Sequence, residues 1–328
     1  LMKRIEFEIL KLKERRNTFK TEGYKLFMTG TEKDFVTKKV LDDAIEHFTI
    51  MPTTLDPNKI IPKMKHLLTM RDEYYETLVH NLFPNKPKQE RRNLESIIQV
   101  MAEVEMLYKI ARHYYFLAKK SGNDIIWAMQ ANMIVAQIKP LFTVFKNAML
   151  SFSSGIPIGD GAGPMVVEKL GRGCEWKSIE FDTVMTETTI ENHKVYIIKA
   201  EGAGSTVGRV NEALKKMIDK IDVVIMIDAA LKAEGDISGE VITAEGAAIG
   251  GLGVEKFEIE EMVTKREIPL YAFLIKESLA EALGPMTKEI SHASNYVAIL
   301  KIKDLIKSLD EDAVIVIIGV GNTVGVGQ

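Results

Sequence analysis

Two aspartates stand where an α/β chain often carries chemistry. Asp160 lies between glycines in "GIPIGDGAGPMVVEKL", just ahead of a helix whose first turn contains Pro164. Asp228 ends the apolar run "VVIMIDAALKAEG", a carboxylate at the carboxyl end of a buried strand. Two carboxyls held close together cannot both ionise easily, so one keeps its proton at neutral pH and the pair can supply a base and an acid. The bland alternative is that each caps a turn or a helix.

Three glycine-rich loops could complete such a site. "KAEGAGSTVGRVNEALKK" reads as strand, loop and helix, with Gly204, Ser205, Thr206 and Arg209 as candidate ligands for an anion or a substrate. It matches neither a P-loop nor a strict G-x-G-x-x-G, and a tight strand-to-helix turn explains it as well. "TAEGAAIGGLGVEKFEIEE" contains Gly251, which could line an oxyanion pocket. The last stretch, "AVIVIIGVGNTVGVGQ", runs from a buried strand into Gly321 and Asn322. Its "GNTVGV" echoes "GSTVGR" at 204–209, so both loops would face one pocket if their strands are neighbours. Such a loop normally leads into a helix, and none follows here.

Other chemistries find little support. None of the six histidines falls in an H-E-x-x-H or H-x-x-x-H pattern, and no Ser-His-Asp or Cys-His signature is present. A single cysteine, Cys174, excludes an internal disulfide and a cysteine-only metal site and fits a reducing compartment.

The 328 residues, 46% hydrophobic and 27% charged, suffice for two domains. Residues 1–150 carry 25 Lys and Arg against 18 Asp and Glu, the remainder 18 against 28. A basic half therefore adjoins an acidic one. The basic half reads as helix almost throughout, with helices expected over 1–20, from Asp34 to Pro52, from near Pro62, up to Gly122, and over 123–152 with a kink at Pro140. The last of these is the most apolar and is expected to be central. From about Ser153, Val- and Ile-rich runs alternate with helices, which predicts a mostly parallel or mixed sheet covered on both faces. "SIEFDTVMTE" and "HKVYIIKA" should pair as two strands around "IENH". The expected architecture is α + α/β: a helical bundle over 1–152 and a three-layer α/β domain over 153–328. No stretch reaches the roughly 18 uninterrupted apolar residues that a membrane span needs.

Joining "IIGVGN" to "PIGDGAGPMVVEKL" gives a strand, G-x-G-N, then Asp with G-x-G-P opening a helix. That order resembles the opening of germination (spore) proteases and hydrogenase maturation proteases. The missing helix would be residues 161–171, and the fold a circular permutation broken in a surface loop. "VVIMIDAALKAEG" and "ITAEGAAIGGLGVEKFEIEEMVTKREIPLYAFLI" are similar to the second aspartate motif of spore proteases and the segment after it. The resemblance implies Asp160 and Asp228 as the catalytic pair. Hydrogenase maturation proteases bind nickel through two carboxylates and a histidine. Here "FLIKESL" offers Glu277 in place of the histidine, so a metal, if any, would use Asp160, Asp228 and Glu277, and no cofactor is expected. Peptidyl-tRNA hydrolases share a related fold, with Asn322 and Asp228 matching their asparagine and aspartate. The position of their second histidine reads "GGLG", which lowers that reading. The whole chain resembles an archaeal family of unknown function in which a membrane segment precedes the helical half. The non-Met start and basic first helix fit a juxtamembrane region.

The expectation is a hydrolase of peptidase type, with Asp228 as base and Asp160 as its partner. Amides near Gly321 or Gly204 would hold the oxyanion, and Asn322 would orient the substrate. A non-enzymatic nucleotide- or anion-binding scaffold at a membrane is the alternative, and a peptidyl-tRNA hydrolase-like enzyme is third. The expected partners are a peptide or protein substrate and a membrane reached through a segment upstream of residue 1. Nucleic acid is disfavoured by the acidic second half, self-association is left open, and the expected location is cytoplasmic and membrane-tethered.

Overall fold

The computed structural model describes residues 1–28, 30, 34–47, 60–122, 124–250 and 253–327. These divide into two compact units, a helical one up to Ser154 and an α/β one from Gly155 onward. Ile60–Lys65 groups with the second.

The helical unit contains α1 (Met2–Phe27), α2 (Asp34–Glu46), α3 (Ile60–Leu82), α4 (Lys88–Lys120) and α5 (Ile125–Ser154). Its centre is α4, which packs against α1, α2 and α5. The buried residues of α4 (Leu94, Ile97, Ile98, Met101, Val104, Tyr108, Ala111, Tyr115, Ala118) recur at three- and four-residue steps, so one continuous stripe meets its neighbours. The expectation that the most apolar helix, α5, is central is corrected. It buries Ala128, Ala131, Val135 and Ile138 on one face but leaves Ile125, Ile126, Trp127, Met129 and Met133 exposed. Hydropathy counts apolar residues, whereas burial needs them on one face. The helix runs through Pro140, and the expected stop at Pro52 lies outside the described residues.

The α/β unit has seven strands: β1 (Lys177–Glu180), β2 (Thr183–Ile190), β3 (His193–Ala200), β4 (Val223–Leu231), β5 (Val241–Glu245), β6 (Leu270–Glu277) and β7 (Ile315–Gly319). Their order is β1-β2-β3-β7-β4-β6-β5. The four inner strands β3, β7, β4 and β6 are parallel, and β1, β2 and β5 add antiparallel edges. Inner strands are buried on both faces, which is why they read as unbroken Val and Ile runs. On one face Ile225, Phe273, Ile315 and Ile317 pack with α6 (Ala162–Leu170), α10 (Lys288–His292) and α11 (Ala298–Ile306). On the other, Val224, Met226, Val316 and Ile318 pack with α7 (Val210–Lys215) and α8 (Val254–Thr264). A short α9 (Leu279–Leu283) follows β6, and a π-helical turn over Ala293–Val297 joins α10 to α11.

Two strand expectations are refined. "SIEFDTVMTE" is two strands, because Asp182 takes a left-handed φ of 47° and turns β1 back on β2. β2 and β3 pair around Glu191 and Asn192, both at positive φ, as a two-residue hairpin requires. β5 was missed by reading its segment as a glycine-rich turn.

The last strand in sequence, β7, inserts between β3 and β4. The chain reaches β4 and then β6 through α7 and α8 on one face, and returns to β7 through α10 and α11 on the other. Connections diverge to opposite faces at the carboxyl ends of β7 and β4, and in such sheets that point is where a ligand crevice usually forms.

Candidate functional site

α6 packs against the carboxyl ends of β7 and β4. Gly163, in its first turn, packs so closely on the carboxyl ends of β4 and β7 that a Cβ would strike the carbonyl oxygens of Ile227 and Val320. Only glycine lets the helix approach this near. Gly321, just beyond β7, sits at φ +128°, with the Asp160 carbonyl where a Cβ would be. Gly321→Ala is expected to destabilise the protein by about 3 kcal/mol, through backbone strain and overpacking together. Urea denaturation measures it, and a loss under about 1 kcal/mol would show that this junction is not the close approach described.

Asp160 sits in a single 3-10 turn, Gly159–Gly161, and does not cap α6, whose N-cap is Gly161 without a side-chain bond. Its Oδ2 instead accepts the Asn322 backbone N–H at 2.7 Å. Asp160 is half-buried, and burial raises its pKa against the opposing pull of that bond. Asp228 is 6% exposed. It accepts N–H bonds from Ala229 (2.8 Å) and from Gly250. Burial, and then the neighbouring Asp160 charge, push its pKa well above the usual carboxylate range. The two aspartates, 68 positions apart in sequence, thus share one electrostatic site.

A third acid joins them. Strand alternation sends Asp228 off the face of Val224 and Met226, and Glu277 off the face of Phe273 and Ile275. Asp228 stands one residue past the last β4–β7 pair, and Glu277 is the last residue of the β4–β6 ladder, so both lie toward the carboxyl ends of their strands. Glu277 is 0% exposed and its Oε2 lies against Gly159, beside Asp160. Neither of its carboxyl oxygens has a hydrogen-bond partner among the described residues. Burial, then the charges of Asp160, Glu281 and Asp228, raise its pKa to about 8. Among the described residues, no three His, Cys, Asp or Glu side chains are grouped so as to hold a metal ion.

The other expected residues divide. The echoing loops do meet: Ala203 bridges Val324, and the Thr323 hydroxyl donates to the carbonyls of Gly204 (2.9 Å) and Thr206 (3.1 Å). Asn322 is tied into this junction, its Nδ2 donating to Ser205 Oγ at 2.8 Å and its Oδ1 accepting from Val324 N at 2.9 Å. Asn322 and Ser205 therefore brace the loops, with at most one amide proton of Asn322 left for a ligand. The Gly204 carbonyl and the Thr206 carbonyl are engaged in the same junction. Arg209 stacks on Phe181 (4.7 Å) in the turn between β1 and β2, and among the described residues it makes no hydrogen bond or ion pair with either aspartate. Gly251 lies outside the described residues. Glu277, expected from the sequence only as a possible metal ligand beside Asp160 and Asp228, stands next to Asp160 as a buried third acid. Its one signal in the sequence was its place at the end of a buried strand.

No curated protein matches the chain. Two family models do: the protein of unknown function (DUF1512) N-terminal domain over residues 1–155, and the domain of unknown function (DUF1512) C-terminal over residues 158–327. Their boundary coincides with the division between the helical and α/β units. Helical bundle, mixed sheet and crevice are thus the two halves of one family architecture, and the chain belongs to the DUF1512 family.

Proposed function

We propose that the α/β unit is a peptidase in which Asp160 and Asp228 hydrolyse an amide bond, on a circularly permuted relative of the spore-protease and hydrogenase-maturation-protease fold. One observation carries the reading. Asp160, in a turn, and Asp228, on β4, meet at a strand crossover; burial raises the pKa of both, and the Asp160 charge raises that of Asp228 further, which is how a carboxyl pair retains a proton at neutral pH. The roles follow from the surroundings. Asp228 is the more enclosed and bears the opposing charge, so it keeps the proton and donates to the substrate carbonyl oxygen. Asp160, half-buried and held by the Asn322 N–H, is the carboxylate that takes a proton from water. Water oxygen bonds to the carbonyl carbon as its proton passes to Asp160 and the carbonyl oxygen takes the proton of Asp228. The C–N bond then breaks as Asp160 gives its proton to the amine and the diol O–H returns one to Asp228, restoring both groups. This reverses the base and acid expected from sequence, because the depth of burial becomes visible only in the fold. Incubation with a mixed peptide library, read by mass spectrometry, tests the proposal. Cleavage absent from an Asp160→Asn/Asp228→Asn double variant supports it. An unchanged library sinks it.

A second observation favours association with an anionic membrane, in line with the resemblance to an archaeal membrane-anchored family. A Tyr115–Glu6 hydrogen bond (2.9 Å) and a Lys139–Glu8 ion pair (2.9 Å) gather the start of α1, the end of α4 and the first half of α5 at one end of the bundle. Phe7, Phe116, Ile126, Trp127 and Met129 are exposed there, and α5 has no charged residue from Ile125 to Ile138. Exposed Lys3, Arg4, Lys119 and Lys120 border them. Apolar side chains, a Trp and a basic rim suit shallow insertion among anionic headgroups. No described helix is long and apolar enough to cross a membrane. Ile126→Glu/Trp127→Ala is expected to cut sedimentation with phosphatidylserine vesicles at least tenfold. Equal binding by the variant would discard the reading.

A further inference from the structure

A groove of about 560 Å³ opens on the outer side of the α/β unit, and its lining begins at Met286. That residue ties the groove to the aspartate loop. Its N–H donates to the Pro157 carbonyl at 2.8 Å, Ile158 bridges Pro285, and its methyl lies beside Gly161. Asn295 closes the inner wall by donating to Met165 Sδ of α6 (3.3 Å) and to the Ser291 carbonyl (2.8 Å). The groove therefore runs along the same helix whose first turn follows Asp160.

Its outer wall is built from one helix face. Lys288, His292 and Tyr296 recur every four residues, and the π-helical turn that follows His292 holds the His292 and Tyr296 rings 5.2 Å apart. Such turns are frequent at functional sites. The Lys288 and His292 side chains make no hydrogen bond or ion pair with another described residue. No Asp or Glu is among the lining residues. In a half of the chain where acids outnumber bases 28 to 18, a groove lined by a free ammonium, a free imidazole and two ring faces, with no carboxylate, is a local inversion of charge. Its ligand has to be anionic, and polar enough to use the flanking hydroxyl and amide groups.

We propose that this groove is a carboxylate-binding subsite beside the aspartates, so that the substrate presents an acidic side chain or a free C-terminus a few residues from the bond in the crevice. The proposal rests on the hydrolytic reading for its link to catalysis, and on the groove alone for binding. Lys288 counters the carboxylate charge, a His292 ring N–H donates to it, and Tyr296 packs on the adjoining chain.

Calorimetry on the full chain tests it with two pairs of short alanine peptides. One pair is blocked at both ends and carries a central Glu or Gln. The other ends in a free carboxylate or an amide. In at least one pair the carboxylate member should bind about fivefold more tightly than its neutral twin, the size of one partly exposed ion pair. The pair that discriminates tells which carboxylate is read. Lys288→Gln/His292→Gln should abolish the difference without changing the urea midpoint, since both side chains are exposed. Equal binding within both pairs overturns the proposal, as does discrimination that survives the double substitution. Discrimination with no peptide ever cleaved would keep the subsite and remove the hydrolytic reading. Cleavage with no discrimination would do the reverse.

Discussion

Asp160→Asn is expected to lower peptide hydrolysis by about a thousandfold while the protein stays folded, and Asp228→Asn by about a hundredfold, the range that one positioned base or acid contributes. Asparagine keeps the shape of the side chain. At position 160 its Oδ1 can still accept the Asn322 N–H. At position 228 it can still accept from Ala229. What each variant loses is a proton site. The larger loss falls on Asp160, because it is the more exposed of the two and so the one that water can reach. Since the pair acts as a unit, the double variant should be little worse than Asp160→Asn alone. Rates on a peptide cleaved by the wild type, with circular dichroism to verify folding, provide the check. Two single variants that each keep more than half the wild-type rate would remove the aspartates from the chemistry.

Glu277→Gln is expected to change how stability depends on pH. Glu277 holds its proton in the folded state up to about pH 8 but surrenders it near the ordinary 4.5 when the chain unfolds. Between those values the folded state binds more protons, so stability is greatest below about pH 4.5 and declines as pH rises to about 8. The shift corresponds to at most about 5 kcal/mol. Glutamine cannot ionise, so its variant lacks that decline, but it introduces a buried amide whose own bonds are unmade, at about 1–3 kcal/mol. The two stability curves should therefore cross. The variant is the less stable near pH 5 and the more stable near pH 9. Asp160 and Asp228 tilt both proteins in the same direction and leave the difference untouched. Urea midpoints at pH 5, 7 and 9 decide the matter. Parallel curves would mean that Glu277 is ionised in the folded protein, despite its burial and its neighbours.

The same cluster explains why three acids can be kept where folding alone would favour apolar groups. Among the described residues no basic side chain contributes to the shift of any of the three, and burial raises all three, so the cluster favours keeping protons among its members over ionising every one. Such a store of protons next to a crevice is costly to stability and useful to acid–base chemistry.

The amino-acid order by itself determined a good deal. Periodicity separated a helical half from an α/β half near residue 153, because helices and buried strands differ in period and in Val and Ile content. Asp160 and Asp228 were legible from their glycine and strand-end settings, and the likeness of "GSTVGR" to "GNTVGV" anticipated two loops that do pair. Only the tertiary structure decided the rest. That β7 lies between β3 and β4, and so delivers Asn322 to Asp160, depends on pairing between strands far apart in sequence (Val195 with Ile315, Val223 with Ile315), which local pattern does not encode. The inward turn of Glu277, the turn of Arg209 toward Phe181 and the exposed face of α5 are likewise matters of which side a residue faces once its neighbours are in place. Burial sets which carboxyl keeps its proton, and burial belongs to the folded chain rather than to any segment of it.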